Sequence, residues 1–106
     1  MVDEISPKDL AARLERGDRP ILLDVRQAEE LAIVKLDGVT HIPLDELTSR
    51  ANELDPDGEI VCICHHGMRS MSAATFLESR DFTKVINLTG GMDAWTNEVD
   101  PTLPRY

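Results

Sequence analysis

The run Cys64-His65-His66-Gly67-Met68-Arg69-Ser70 gathers a thiol, two imidazoles, a guanidinium and a hydroxyl around one glycine. It follows the apolar stretch Ile60-Val61-Cys62-Ile63 and precedes Met71-Ser72-Ala73-Ala74-Thr75-Phe76-Leu77, which reads as a helix. The thiol therefore falls where a buried strand ends and a tight loop turns into a helix. Backbone N–H groups of such a loop converge on one point, and the unpaired N–H groups of the helix start add partial positive charge. A thiolate is stabilised there, which makes Cys64 a candidate nucleophile. Gly67 gives the cradle its backbone freedom. Arg69 can grip an oxyanion with a two-pronged fork. Ser70 can cap the following helix or turn its hydroxyl into the loop. His65 and His66 add donors near neutral pH, and Met68 completes the loop.

Each residue has a plainer reading. A free cysteine at a strand end is often simply buried. Cys62 lies inside the apolar run beside no charge and is expected to pack in the core. Cys62, Cys64, His65 and His66 are potential metal ligands, but all fall within five consecutive positions. Structural zinc sites join ligand pairs across an intervening stretch, so no metal is expected. A disulfide between Cys62 and Cys64 would close too small a ring in an extended segment.

With its flanks, the loop resembles the single-domain rhodanese-like sulfurtransferases. Their active-site signature has a cysteine, a glycine three residues on, an arginine five residues on, then serine or threonine; Cys64, Gly67, Arg69 and Ser70 match it. Ile21-Leu22-Leu23-Asp24-Val25-Arg26, with Glu30 downstream, is similar to the family's strand and Asp-x-Arg turn. His41-Ile42-Pro43-Leu44 and Asn87-Leu88-Thr89-Gly90-Gly91-Met92-Asp93-Ala94-Trp95 resemble two further segments in the same order. The chain departs from the pattern at Leu31-Ala32-Ile33-Val34-Lys35-Leu36-Asp37-Gly38, and at His65, where the family often has arginine.

The resemblance implies a transferase. Cys64 would take a sulfane sulfur from a small donor anion such as thiosulfate, or from a persulfide donor, and pass it to cyanide, a thiol or a protein acceptor. The loop 65–70 would bind the donor and the Cys64 persulfide, with Arg69 either binding the donor's oxyanion or locking the loop. Asp24 and Arg26 would support the loop rather than react, and no cofactor is implied. A docking module without turnover is the non-enzymatic rival, though such domains often lack the cysteine; a relay, in which Cys64 receives sulfur from one partner and hands it to another, stays open. Cysteine phosphatases and arsenate reductases place five residues between cysteine and arginine; here His65, His66, Gly67 and Met68 intervene. That shorter loop suits a sulfur atom better than a phosphoryl group.

The elements that must position these residues follow from pattern. Ser6-Pro7 is a helix start, Leu10, Ala11 and Leu14 share a face, and Gly17 stops it. Ile21–Asp24 reads as a strand buried on both faces. A helix is expected over 44–54 and a turn at Pro56-Asp57-Gly58. Then come a central strand over 59–64, a helix over 70–80, a strand over 84–88 and a short helix over 91–96. Pro101 and Pro104 predict an extended tail. Alternating strands and helices imply an α/β fold with a central parallel sheet and helices on both faces; the rhodanese-like resemblance implies about five short strands in it. Ligands of such folds sit beyond the carboxyl ends of the strands, where Cys64 and Asp24 both fall. Trp95 and His41 are expected to pack, and Lys35 and Asp37 to be solvated.

A chain of 106 residues, 42% of them hydrophobic, fits one domain spanning 1–106 with its own core. No stretch is apolar for long enough to span a bilayer, no secretory signal is seen, and two cysteines suit a reducing compartment, so a cytoplasmic location is expected. A net charge of −9 argues against nucleic acid as partner.

Overall fold

The structure is a computed structural model that describes residues 2–106. Its centre is a five-stranded, all-parallel sheet built from β1 (Asp3–Ile5), β2 (Ile21–Asp24), β3 (Thr40–His41), β4 (Ile60–Ile63) and β5 (Val85–Leu88), in the order β1-β5-β4-β2-β3. The helices are α1 (Pro7–Glu15), α2 (Ala28–Ile33), α3 (Leu47–Arg50), α4 (Met68–Ser79) and α5 (Gly91–Glu98).

The continuous apolar run of β4 has the physical cause expected of it, since all four of its residues are buried. Alternate side chains enter two different cores. Ile60 and Cys62 join Leu23, Leu47, Ala73, Ala74 and Leu77 beneath α3 and α4. Val61 and Ile63 join Leu10, Leu22, Leu88, Met92 and Trp95 beneath α1 and α5. A strand with both faces covered has no polar side to show.

Strand order fixes where a site can form. After β2 the chain moves outward to β3, and after β4 it moves the opposite way to β5. β2 and β4 are paired neighbours, with Asp24 beside Ile63. The connections thus diverge between their carboxyl ends and leave a crevice, the usual ligand position in open parallel sheets. Cys64 directly follows the end of β4, and Arg26 lies two residues past the end of β2.

Several expectations change. The segment 44–54 is no single helix: 3₁₀ turns at Leu44–Glu46 and Ala51–Glu53 flank the one-turn α3. The helix after the loop starts at Met68, not at 70, and Gly67 takes the position before it with φ 98°. Ser70 therefore lies in the first turn, fully buried, and does not cap the helix. β1, α2 and β3 add to the elements read from sequence. The tail beyond α5 does not simply extend away, because Tyr106 folds back onto His65. Ser6 caps α1 as expected, accepting the Asp9 N–H at 3.1 Å.

Candidate active site

Cys64 sits at the end of β4, only 1% exposed. Its sulfur meets the Gly67 N–H at 3.0 Å and the Ser70 hydroxyl oxygen at 3.3 Å. The Ser70 O–H donates to Asn87 Oδ1 at 2.5 Å, and Asn87 Nδ2 donates to the Gly67 carbonyl at 3.1 Å. The four residues close a ring: sulfur, hydroxyl, amide, and the peptides of Gly67. With its proton given to Asn87, Ser70 faces a neutral thiol as acceptor; rotated, the same hydroxyl donates to a thiolate. The first-turn N–H groups of α4 have no partner inside their own helix and lie beside this ring. Together they suit negative charge on or just beyond the sulfur.

The loop is held from behind by α5. Met92 N–H donates to the Cys64 carbonyl at 2.8 Å, and Asp93 N–H to the His65 carbonyl at 3.0 Å. Gly91 makes that approach possible. A Cβ there would stand 2.3 Å from the Cys64 carbonyl oxygen and 2.6 Å from that of His65, at a backbone φ of 59°.

Arg69 does not point a free fork at the cleft. Its two terminal nitrogens bind the carboxylate of Glu30 at 2.7 and 2.8 Å. That pair holds Glu30 down at about 2, against a partial opposing effect of burial, with help from the Gln27 N–H and the Tyr106 hydroxyl. Arg69 is correspondingly raised by Glu30. Asp24 and Arg26 are both fully buried and paired, Arg26 Nη2 to Asp24 Oδ2, at 2.7 Å. Arg26 also donates to the Val34 carbonyl at 2.7 Å and the Tyr106 hydroxyl at 2.9 Å. The turn after β2 is thereby tied to the tail.

His65 stacks on Tyr106, ring centroids 3.9 Å apart and planes 14° from parallel. Burial, then the adjacent His66, holds His65 below the ordinary imidazole range, with Asp93 and Glu30 opposing. His66 is more open, its Nδ1 3.9 Å from Asp93. Met68 is 80% exposed at the rim. Cys64, His65, His66, Met68 and Arg69 line an open cleft of about 270 Å³.

The sequence-read residues 64–70 thus run from the end of β4 through a short loop into the first turn of α4, while Asp24 ends the neighbouring β2 and Arg26 lies in the turn after it. Cys62 is buried, free, and has its thiol pushed up to about 12, chiefly by burial. His41 packs with one hydrogen bond, to the Arg26 carbonyl oxygen at 2.7 Å. Trp95 is in the core. Sequence reasoning missed Asn87, Glu30, Gly91 and Tyr106 as parts of the site. The available signals were an asparagine interrupting the apolar run of β5 and a glutamate following the Asp-Val-Arg turn.

The family model for the rhodanese-like domain matches residues 6–98, nearly the whole chain. The chain belongs to the rhodanese-like domain family. YrkF of Bacillus subtilis, named as a candidate sulfur carrier protein, is 40% identical over 93% of this chain, but the chain spans only 54% of YrkF. A protein named sulfurtransferase from Allochromatium vinosum is 32% identical, over 90% of this chain and 89% of its own length. Among solved structures, the human single-domain sulfurtransferase TSTD1 superposes with a TM-score of 0.80 at 27% identity, covering 92% of this chain and 98% of that one. The rhodanese-like α/β fold and membership of the rhodanese-like family, which includes relatives named sulfurtransferases, follow from these matches.

Proposed function

We propose that the chain transfers sulfane sulfur through a persulfide on Cys64. The observation that carries this reading is the closed ring of Gly67 N–H, Cys64 Sγ, Ser70 and Asn87 at the carboxyl end of β4. It pairs a sheltered sulfur with donors that favour a sulfur anion.

In the proposed reaction the Cys64 thiolate attacks the outer sulfur of a donor, thiosulfate or an organic persulfide. The donor's S–S bond breaks, and sulfite or a thiolate leaves with the bonding pair. The new terminal sulfur lies over the N–H groups of residues 65–70, which lead from the loop into the first turn of α4. A nucleophile, whether cyanide, a thiol or a protein acceptor, then takes that sulfur and restores the Cys64 thiolate. No metal or cofactor enters the sequence, and Asp24 and Arg26 act only by holding the turn beneath the loop.

A relay form of the same chemistry, with protein partners as donor or acceptor, is favoured by the exposed Met68 at the rim. A large apolar side chain is costly to leave in water and useful against a partner's surface. The test is thiocyanate formation from cyanide and a sulfur donor, compared with Cys64→Ser. Turnover by the native chain and its loss in the variant support the proposal; equal rates refute it.

A further inference from the structure

Among the described residues that line the Cys64 cleft, Arg69 is the one lysine or arginine. Both of its terminal nitrogens are committed to Glu30. Glu30 is itself clamped, for one oxygen also accepts the Gln27 N–H at 3.0 Å and the other the Tyr106 hydroxyl at 2.9 Å. A carboxylate with this many donors does not release its guanidinium to a passing anion without leaving charges unpaired. The nearby Arg26 is buried and paired with Asp24. His65 is flat against Tyr106, while His66 faces Asp93. Arg69 cancels Glu30 and Arg26 cancels Asp24. What remains is the Cys64 sulfur, with the Asp93 carboxylate behind His66, on a chain of net charge −9.

We infer that Glu30 sets the donor class: by holding Arg69 it leaves the cleft without an uncommitted cation, and so selects an organic persulfide over a dianion such as thiosulfate. The inference rests on the sulfur-transfer reading above and narrows it. A persulfide R–S–SH is uncharged in the form a thiolate attacks. The Cys64 Sγ–S bond forms, the donor's S–S bond breaks, and R–S⁻ departs with the electron pair. The proton stays on the transferred sulfur until solvent removes it. No outside oxidant or reductant is needed. Thiosulfate must instead bring two negative charges beside a thiolate with no cation to meet them, a repulsion that added salt screens.

The test compares Cys64 loading rates of the full chain with 2-hydroxyethyl persulfide and with thiosulfate. Native protein is expected to prefer the persulfide, and its thiosulfate rate to rise with added potassium chloride while the persulfide rate stays level. Glu30→Gln frees one charged donor, worth about tenfold or more, in the ratio of thiosulfate to persulfide rates. Glu30→Asp keeps the charge and is expected to keep the native preference. Because the readout is a ratio, general damage to the loop lowers both rates and does not mimic the effect. A native preference for thiosulfate, a thiosulfate rate that falls with salt, or a Glu30→Gln ratio within about twofold of native overturns the inference alone. Loading by neither donor overturns the sulfur-transfer reading and the inference with it.

Discussion

Cys62 in β4 and Cys64 just past its end share one core cluster, yet their surroundings divide their chemistry. Cys62 is walled in by side chains of the core, which pushes its thiol up to about 12. Cys64 meets an N–H and a hydroxyl and opens onto the cleft. Iodoacetamide at mild alkaline pH is therefore expected to label Cys64 in the native protein and to reach Cys62 only after denaturation. Peptide mapping checks this, and equal native labelling of both would contradict it. Ser70→Ala leaves Asn87 Oδ1 without its donor and the sulfur without its hydroxyl neighbour. The expected cost is about 1–3 kcal/mol of stability, read from urea unfolding, together with slower loading of Cys64. At this scale Cys64, Gly67 and Ser70 were legible because they are neighbours in sequence. Asn87 was not, because its contact arises from the pairing of β4 and β5, where Cys62 stands beside it. Glu30 and Tyr106 reach the loop only through tertiary packing.

The loop owes its shape to three elements: β4 delivers the thiol, α4 turns away from it, and α5 binds its carbonyls from behind. Gly91 is the point of closest approach between α5 and the loop. Gly91→Ala is expected to cost more than about 1–2 kcal/mol, the left-handed backbone penalty alone, because its Cβ also collides with two carbonyl oxygens. Loading of Cys64 should fall with it, whereas a variant that keeps native stability and loading would show that α5 does not shape the loop. Beneath the loop, Asp24→Asn breaks a buried ion pair, with an expected loss of about 3–5 kcal/mol in urea unfolding. Continuous apolar runs made β2 and β4 readable, and the Ser6-Pro7 start with Leu10, Ala11 and Leu14 on one face did the same for α1. The elements β1 and β3 are too short to carry a pattern, and α2 has no buried residue to reveal its face. The segment 44–54 has helical spacing, but breaks into 3₁₀ turns on either side of α3.

For the molecule as a whole, charge is the governing property. Glu30 lies at about 2 in the fold against an ordinary 4.5, so it binds its proton less readily folded than unfolded. Its contribution to stability is complete above the unfolded value and is lost as pH falls through about 2. The stability difference between native protein and Glu30→Gln is thus expected to shrink between about pH 5 and pH 2, measured by urea unfolding at each pH. A difference that stays constant would place the worth of Glu30 elsewhere than in its charge. The parallel architecture itself was legible from alternating strands and helices, and the crevice between β2 and β4 follows from strand order. What no pattern in the chain announced is that its one cleft-lining arginine is already paired. All of this serves a single claim, that Cys64 carries sulfur. The most direct test is the intact mass of the protein after exposure to an organic persulfide, beside Cys64→Ser and Cys62→Ser. Gain of one sulfur atom by the native chain and by Cys62→Ser, absent from Cys64→Ser and removed by cyanide, is the predicted result. No gain by the native chain, or a gain that survives in Cys64→Ser, would contradict the account.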